Sequence, residues 1–181
     1  MPAPRRVRPA GAAGAKHRRW GRLRPATERD LPTLVRHRRA MFLEIRRRSK
    51  REMDRHDRVY RRWARRGLRA GEFFAFVVEA PDGQIAGSGA IWLQPQQPRP
   101  GRWMAARLPY ILSMYTEPAA RGRGVASRLV RRMVRWASER GYPRVFLHAS
   151  SMGRPVYQRL GFESGNEMRR ELAPRRRRGP R

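Results

Sequence analysis

Two runs of β-prone apolar residues in EFFAFVVEAPDGQIAGSGAIWLQ, which begins at Glu72, meet at APDG. An Asp-Gly turn between such runs makes a β-hairpin. The hairpin constrains the rest of the chain, because the hydrophobic period changes there. Upstream, TERDLPTLVRHRRAMFLEI sets Leu31, Leu34, Val35, Phe42 and Ile45 at helical intervals, with Thr27 and Asp30 in capping-box spacing before them. A basic loop leads to a second helix carrying Met53, Tyr60 and Trp63, and WGRLRPAT ahead of both reads as a short strand.

Downstream, QPQQPRPGR is a proline-rich loop and YILSMYTEP a third long strand, stopped by Pro118. The next helix has Val125, Leu129 and Met133 in one row and Val130, Val134 and Ala137 in the adjacent one. Arg128, Arg131, Arg132 and Arg135 lie outside, and Gly141 suits its C-terminal cap. RVFLHA reads as a strand. RPVYQRLG reads as a short helix with Pro155 in its first turn and Gly161 after its end, and FESGNEMRREL as a last strand. The order β-α-α-β-β-β-α-β-α-β gives an α/β fold, a mixed sheet with helices on its faces. A chain of 181 residues is one domain with tails. Residues 1–20 read as a disordered basic arm, 21–173 as the domain and 174–181 as a basic C-terminal tail.

The absence of cysteine excludes disulfides, thiolate zinc sites and a cysteine nucleophile, and four scattered histidines lead us to expect no metal. No segment is apolar for long enough to span a bilayer, and no apolar stretch follows the basic N-terminus, so a soluble cytoplasmic protein without membrane contact is expected. The net charge is +30, and since only Lys16 and Lys50 are lysines it is nearly all guanidinium. Part of that surplus reads as solvated surface set by compositional bias, and part as long-range attraction to polyanions.

TEPAARGRGVASRLV, Thr116 to Val130, places two glycines between a strand and an amphipathic helix. Such a turn either uses glycine for its dihedral angles alone or exposes N–H groups at a helix N-terminus, where the helix dipole favours an anion, phosphate above all. The stretch has neither the GK[ST] of a Walker loop nor the GxGxxG of a dinucleotide fingerprint.

MYTEPAARGRGVASRLV together with the later GRPVYQRLGF resembles the GCN5-related N-acetyltransferase superfamily. Its motif is Arg or Gln, two free positions, Gly, one free position, then Gly or Ala, and Arg121, Gly124 and Ala126 meet it. Tyr157, Arg159, Gly161 and Phe162 meet the family's Y-x-K/R-x-G-F segment. The resemblance implies a central, mostly antiparallel twisted sheet with splayed central strands, flanked by helices. It implies acetyl-CoA as acyl donor: the amides of Gly122, Arg123, Gly124, Val125, Ala126 and Ser127 would hold the pyrophosphate, and Arg121 would brace the loop. In relatives the preceding strand bulges and parts from the next. The backbone groups this would free belong to Met114, Tyr115 and Thr116, and would meet the pantetheine arm and thioester carbonyl. As side chains, Met114 and Tyr115 read as core and sheet-face packing. Ser150 stands where relatives often have a cofactor-contacting asparagine.

Tyr157 matches the tyrosine that serves many relatives as general acid, and a phenol is protonated at neutral pH. Neither YILSMYTEP before Glu117 nor RVFLHA holds a glutamate base. The base is thus left open: His148 could serve in principle, but alone in an apolar strand it reads rather as a hydrogen-bonded core residue. Glu44 and the DRHD run from Asp54 to Asp57 read as solvated charges compensating nearby arginines. The activity implied is acetyl transfer to a primary amine, and a rim that includes RRRSKRE favours a small acceptor of neutral or negative net charge. Two alternatives stand beside it, a noncatalytic acyl-CoA-binding member and a basic nucleic-acid-associated protein. Nonspecific nucleic-acid contact through the basic tails is compatible with the acetyltransferase reading, and homodimer formation is left open.

Overall fold

The computed structural model describes residues 21–97, 107–168 and 170. The arm 1–20, the tail 174–181 and most of the proline-rich loop therefore lie outside the described residues. Five strands form one sheet in chain order: β1 (Leu23–Pro25), β2 (Phe73–Glu79), β3 (Ile85–Pro95), β4 (Arg107–Thr116) and β5 (Phe146–Leu147). The first four are antiparallel and β5 runs parallel to β4. Helices α1 (Leu31–Ile45) and α2 (Lys50–Arg69) join β1 to β2, α3 (Val125–Ser138) joins β4 to β5, and α4 (Arg154–Gln158) follows β5.

The uninterrupted apolar run of β2 exists because both faces of the sheet are covered. Phe73, Ala75 and Val77 join Leu31, Leu34, Val35, Tyr60 and Ala64 of α1 and α2, while Phe76 and Val78 join Leu129, Val130, Met133 and Trp136 of α3. The turn after β2 closes with Gly83 N–H donating to Ala80 O at 3.0 Å, and Gly83 has φ +80°. Thr27 and Asp30 make the capping box, with Thr27 N–H donating to Asp30 Oδ2 at 2.8 Å. It closes a 3-10 turn, Glu28–Asp30, that leads into α1, and Arg24 of β1 holds the same carboxylate with two bonds of 2.9 Å.

Several expectations need correction. FESGNEMRREL forms no strand among its described residues. After Phe162 its apolar alternation stops, and Gly165 and Asn166 disfavour extended pairing. RVFLHA pairs only at Phe146 and Leu147. His148 is not in the core: its side chain is 75% exposed, hydrogen-bonded to the Tyr110 hydroxyl and 3.5 Å from Glu167. Val134 and Ile45 are exposed rather than buried.

Candidate active site

The site begins with a defect in β4. Register runs Ser88 to Tyr115 and Ala90 to Leu112, so Gly89 faces two residues, Ser113 and Met114. This is a β-bulge, and Ser113 takes the positive φ of 53° that the extra residue requires. A Cβ on Gly89 would run into Met114 Sδ, so a larger residue there requires the thioether to move. On its other edge β4 meets β5 only at Tyr110 and Ile111. From Leu112 to Thr116 that edge has no strand beside it among the described residues, and a cleft of about 470 Å³ opens there.

At one end of the cleft, Pro118–Ala120 forms a 3-10 turn, and Gly122 and Gly124 follow with φ +71° and +80°. A Cβ built on either meets nothing within 4 Å, so side chains there would project into open space. The positive φ values account for glycine at both positions. No side chain caps α3, and the first bond at its start is Arg128 N–H to Gly124 O at 3.0 Å. The N–H groups of Val125, Ala126 and Ser127 precede that bond and are left without helical acceptors. Their first turn contains no acidic side chain. The arrangement suits a phosphate group.

Val125 at this helix start packs closely on β3. A Cβ on Gly87 would lie 2.7 Å from Val125 Cγ1 and 2.9 Å from Tyr115 O. Arg121 links the loop to its surroundings: Nε donates to Thr116 O at 3.1 Å and Nη2 to Glu44 Oε1 of α1 at 2.5 Å. The Thr116 carbonyl is therefore already engaged, which corrects the reading of all three backbone positions as free. Glu44 also holds the Arg121 guanidinium above its ordinary pKa.

The far wall comes from the chain after β5. Ser150 Oγ accepts from Gly153 N–H at 3.1 Å and so braces the turn that starts α4. Tyr157, on α4, packs edge-on against Phe162 with ring centroids 5.9 Å apart, and its burial pushes the phenol pKa up. It stays protonated at neutral pH.

Of the residues singled out from the sequence, Met114, Tyr115, Thr116, Arg121, Gly122, Gly124, Val125, Ala126, Ser127, Ser150 and Tyr157 all line this one cleft. Arg123 does not. Met41, Glu44, Ile45, Met152 and Val156 join the lining and were not read as site residues. Glu44 compensates an arginine as expected and stays exposed, at the rim of the cleft. Asp54 and Asp57 pair with Arg39 at 2.8 and 2.7 Å, as charge compensation requires.

Sequence reasoning also missed a buried cluster behind the cleft. His37 is fully buried between Ser88 and Glu117, and its ring lies 5.0 Å from that of Tyr115. Among the described residues no group of three or more His, Asp or Glu side chains could hold a metal ion, and no helix is long and apolar enough to cross a membrane.

A bulged central strand, a splayed neighbour and an uncapped glycine-led helix at the opening define an acyl-CoA-type acetyltransferase fold. Residues 39–162 match the acetyltransferase (GNAT) family model, and the chain belongs to that family. Among solved structures it is similar to a GCN5-related N-acetyltransferase from Ralstonia eutropha JMP134. That match has TM-score 0.75 and 31% identity, covering 84% of this chain and 99% of that one. It is also similar to a predicted acetyltransferase from Clostridium acetobutylicum solved with acetyl-CoA, with TM-score 0.74 and 28% identity, covering 83% of this chain and 95% of that one. A curated relative, probable glucosamine 6-phosphate N-acetyltransferase 2 of Oryza sativa subsp. japonica, is 32% identical over 90 residues, 49% of this chain. The match spans about half of that relative's length, 52%.

Proposed function

We propose that the protein transfers the acetyl group of acetyl-CoA to a primary amine on a small acceptor of neutral or negative net charge. The observation that carries this reading is one cleft that joins an uncapped helix N-terminus, an unpaired strand edge and a half-buried phenol. The N–H groups at the start of α3, with those of Gly122, Arg123 and Gly124, would hold the pyrophosphate, and Arg121 keeps their loop fixed to β4 and α1. The β4 edge from Met114 to Tyr115 would take the pantetheine amides.

Acetyl-CoA would supply an activated acyl carbon and a thiol leaving group. Acyl transfer forms a carbon–nitrogen bond and breaks a carbon–sulfur bond, so the chain must provide a proton for sulfur and an exit for the one nitrogen loses. The Tyr157 hydroxyl provides the first. Among the described residues Glu44 is the one carboxylate of the lining, and Arg121 engages it. The nitrogen proton therefore leaves through water.

Charge supports the acceptor class. Arg46, Arg47 and Arg48 are exposed directly after α1, whose last turn lines the cleft. They disfavour polycations. A phosphorylated amino sugar, the acceptor in the rice relative's name, meets the charge condition and heads the screen. The test follows release of free CoA thiol from acetyl-CoA with amino acids, amino-sugar phosphates, spermidine and an aminoglycoside. Turnover with the anionic or neutral amines is expected. Preference for spermidine or the aminoglycoside at low salt would overturn the acceptor class, and binding of acetyl-CoA without turnover of any amine would favour a noncatalytic role.

A further inference from the structure

We infer that the outer face of α2 is a binding surface for the phosphate backbone of duplex DNA. The helix buries Met53, Tyr60, Ala64 and Gly67 against the sheet. At 3.6 residues per turn, Arg51, Arg55, Arg58, Arg62, Arg66 and Arg69 all fall within about 50° of the line opposite those residues, as does Arg65, which pairs with Glu28 at 3.6 Å. All six are exposed. They form a straight ridge about 27 Å long, at 1.5 Å per residue.

Among the described residues the acids of the helix make no ion pair with the ridge, although the Arg58 charge adds to those that stabilise the Asp54 carboxylate. Glu52 pairs with Arg48, while Asp54 and Asp57 turn toward α1 and pair with Arg39. Among the described residues Arg69 alone of the six is in an ion pair, with Glu28 at 2.6 Å. A compositional surplus of arginine explains a basic surface, but it does not explain why the acids of the same helix all lie off the ridge. Duplex DNA carries one charge per about 1.7 Å of axis over its two strands, so a ridge of this length meets a dense row of negative charge that complements it.

Two other polyanionic surfaces fit less well. A membrane-bound helix inserts its apolar face, and here that face is buried in the core. Single strands need exposed aromatic platforms. Tyr60 and Trp63 instead face inward, with Trp63 5.1 Å from Phe73 and 5.8 Å from Trp92. None of the six arginines lines the cleft, so this surface is separate from the proposed acetyl-CoA site.

The test is fluorescence anisotropy of a short labelled DNA duplex with the full chain, between about 50 and 200 mM NaCl. Each lost phosphate contact lowers the slope of log affinity against log salt by about 0.9, so R55Q/R62Q should lower it by about 1.8. R58Q/R66Q is a second pair with the same expectation. R131Q/R135Q, on the exposed face of α3, removes equal charge and should leave the slope unchanged. Equal losses in the α2 and α3 variants would overturn the inference in favour of net charge alone. An unchanged slope in both α2 pairs would overturn it in favour of the arm and tail. Loss of binding to phosphatidylserine vesicles with an unchanged DNA slope would overturn it in favour of a membrane surface. Calorimetric affinity for acetyl-CoA, expected equal in all variants, checks the fold separately, and its absence in the parent would bear on the proposed function alone.

Discussion

His37 and Glu117 stand 80 residues apart in sequence and 3.0 Å apart in space, from Nε2 to Oε1. On the other side of the ring, Nδ1 is 2.8 Å from Ser88 Oγ. One arrangement satisfies the three groups: the Ser88 hydroxyl donates to Nδ1, Nε2–H donates to the carboxylate, and Arg36 donates to the same carboxylate. This pins α1 to β3 and to the residue just after β4. Tyr115, which lines the cleft, packs on the pinned ring.

The pinned ring makes stability pH-dependent. Burial first, then the Arg36 charge, lowers the His37 pKa to about 4, against an unfolded value near 6.5. Between these values the unfolded chain takes up a proton that the folded one refuses. Stability is therefore full above pH 6.5 and falls as pH drops toward 4, by about 3 kcal/mol in total. Urea unfolding at pH 7 and pH 4.5 should show this loss in the parent and a smaller one in His37→Gln. An equal loss in both would assign it to other groups.

Gly124→Glu should leave a folded protein that no longer binds acetyl-CoA. The substitution adds backbone strain at φ +80° and places a carboxylate at the uncapped start of α3, where it competes for the same N–H groups. Isothermal calorimetry measures the outcome, and undiminished affinity would move the phosphate site elsewhere.

Tyr157→Phe keeps the ring against Phe162 and removes the proton. Turnover should fall by about 10²-fold or more, the usual scale for a general acid, with acetyl-CoA affinity kept within about twofold. Steady-state kinetics with the best acceptor of the screen decides this. Unchanged turnover would leave Tyr157 a packing residue.

Gly87→Ala tests the close approach of α3 to β3. The added methyl would lie 2.7 Å from Val125 Cγ1 at the start of α3 and 2.9 Å from the Tyr115 carbonyl of β4, so one of them must shift. The variant should lose about 1–3 kcal/mol of stability, the range for overpacking. Its acetyl-CoA affinity should fall as well, read by denaturant midpoint and calorimetry on the same preparation.

The sequence was most legible where the signal is local. The Asp-Gly hairpin, the Thr27–Asp30 box and the two rows of α3 each depend on residues within one or two turns of one another. The bulge came only through family resemblance, for neither Ser113 nor Met114 marks a break in the strand. His37 was hidden by its neighbours: it sits in RHRR, which reads as solvent, and is buried because Ser88 and Glu117 meet it from 51 and 80 residues away. Glu44 was half legible. Its charge pointed to an arginine, but only the fold chooses Arg121, 77 residues on. The last strand is missing among the described residues because Phe162 lends an apolar start to a stretch that continues with Glu163, Ser164, Gly165 and Asn166.

The extra residue at Ser113 also sets the parity of everything that follows in β4. Ile111 and Met114 pack with the α3 side and Leu112 with the α1 side, where Tyr115 meets His37. In an unbroken strand Ile111 and Met114 would point to opposite faces. Deleting Ser113 would therefore leave a regular strand with these faces kept, whereas straightening the strand with Ser113 retained would act as a reflection: the tyrosine would leave its histidine and the methionine its glycine. The extra residue thus changes the path of the strand edge beside the cleft and not the choice of side chains on either face.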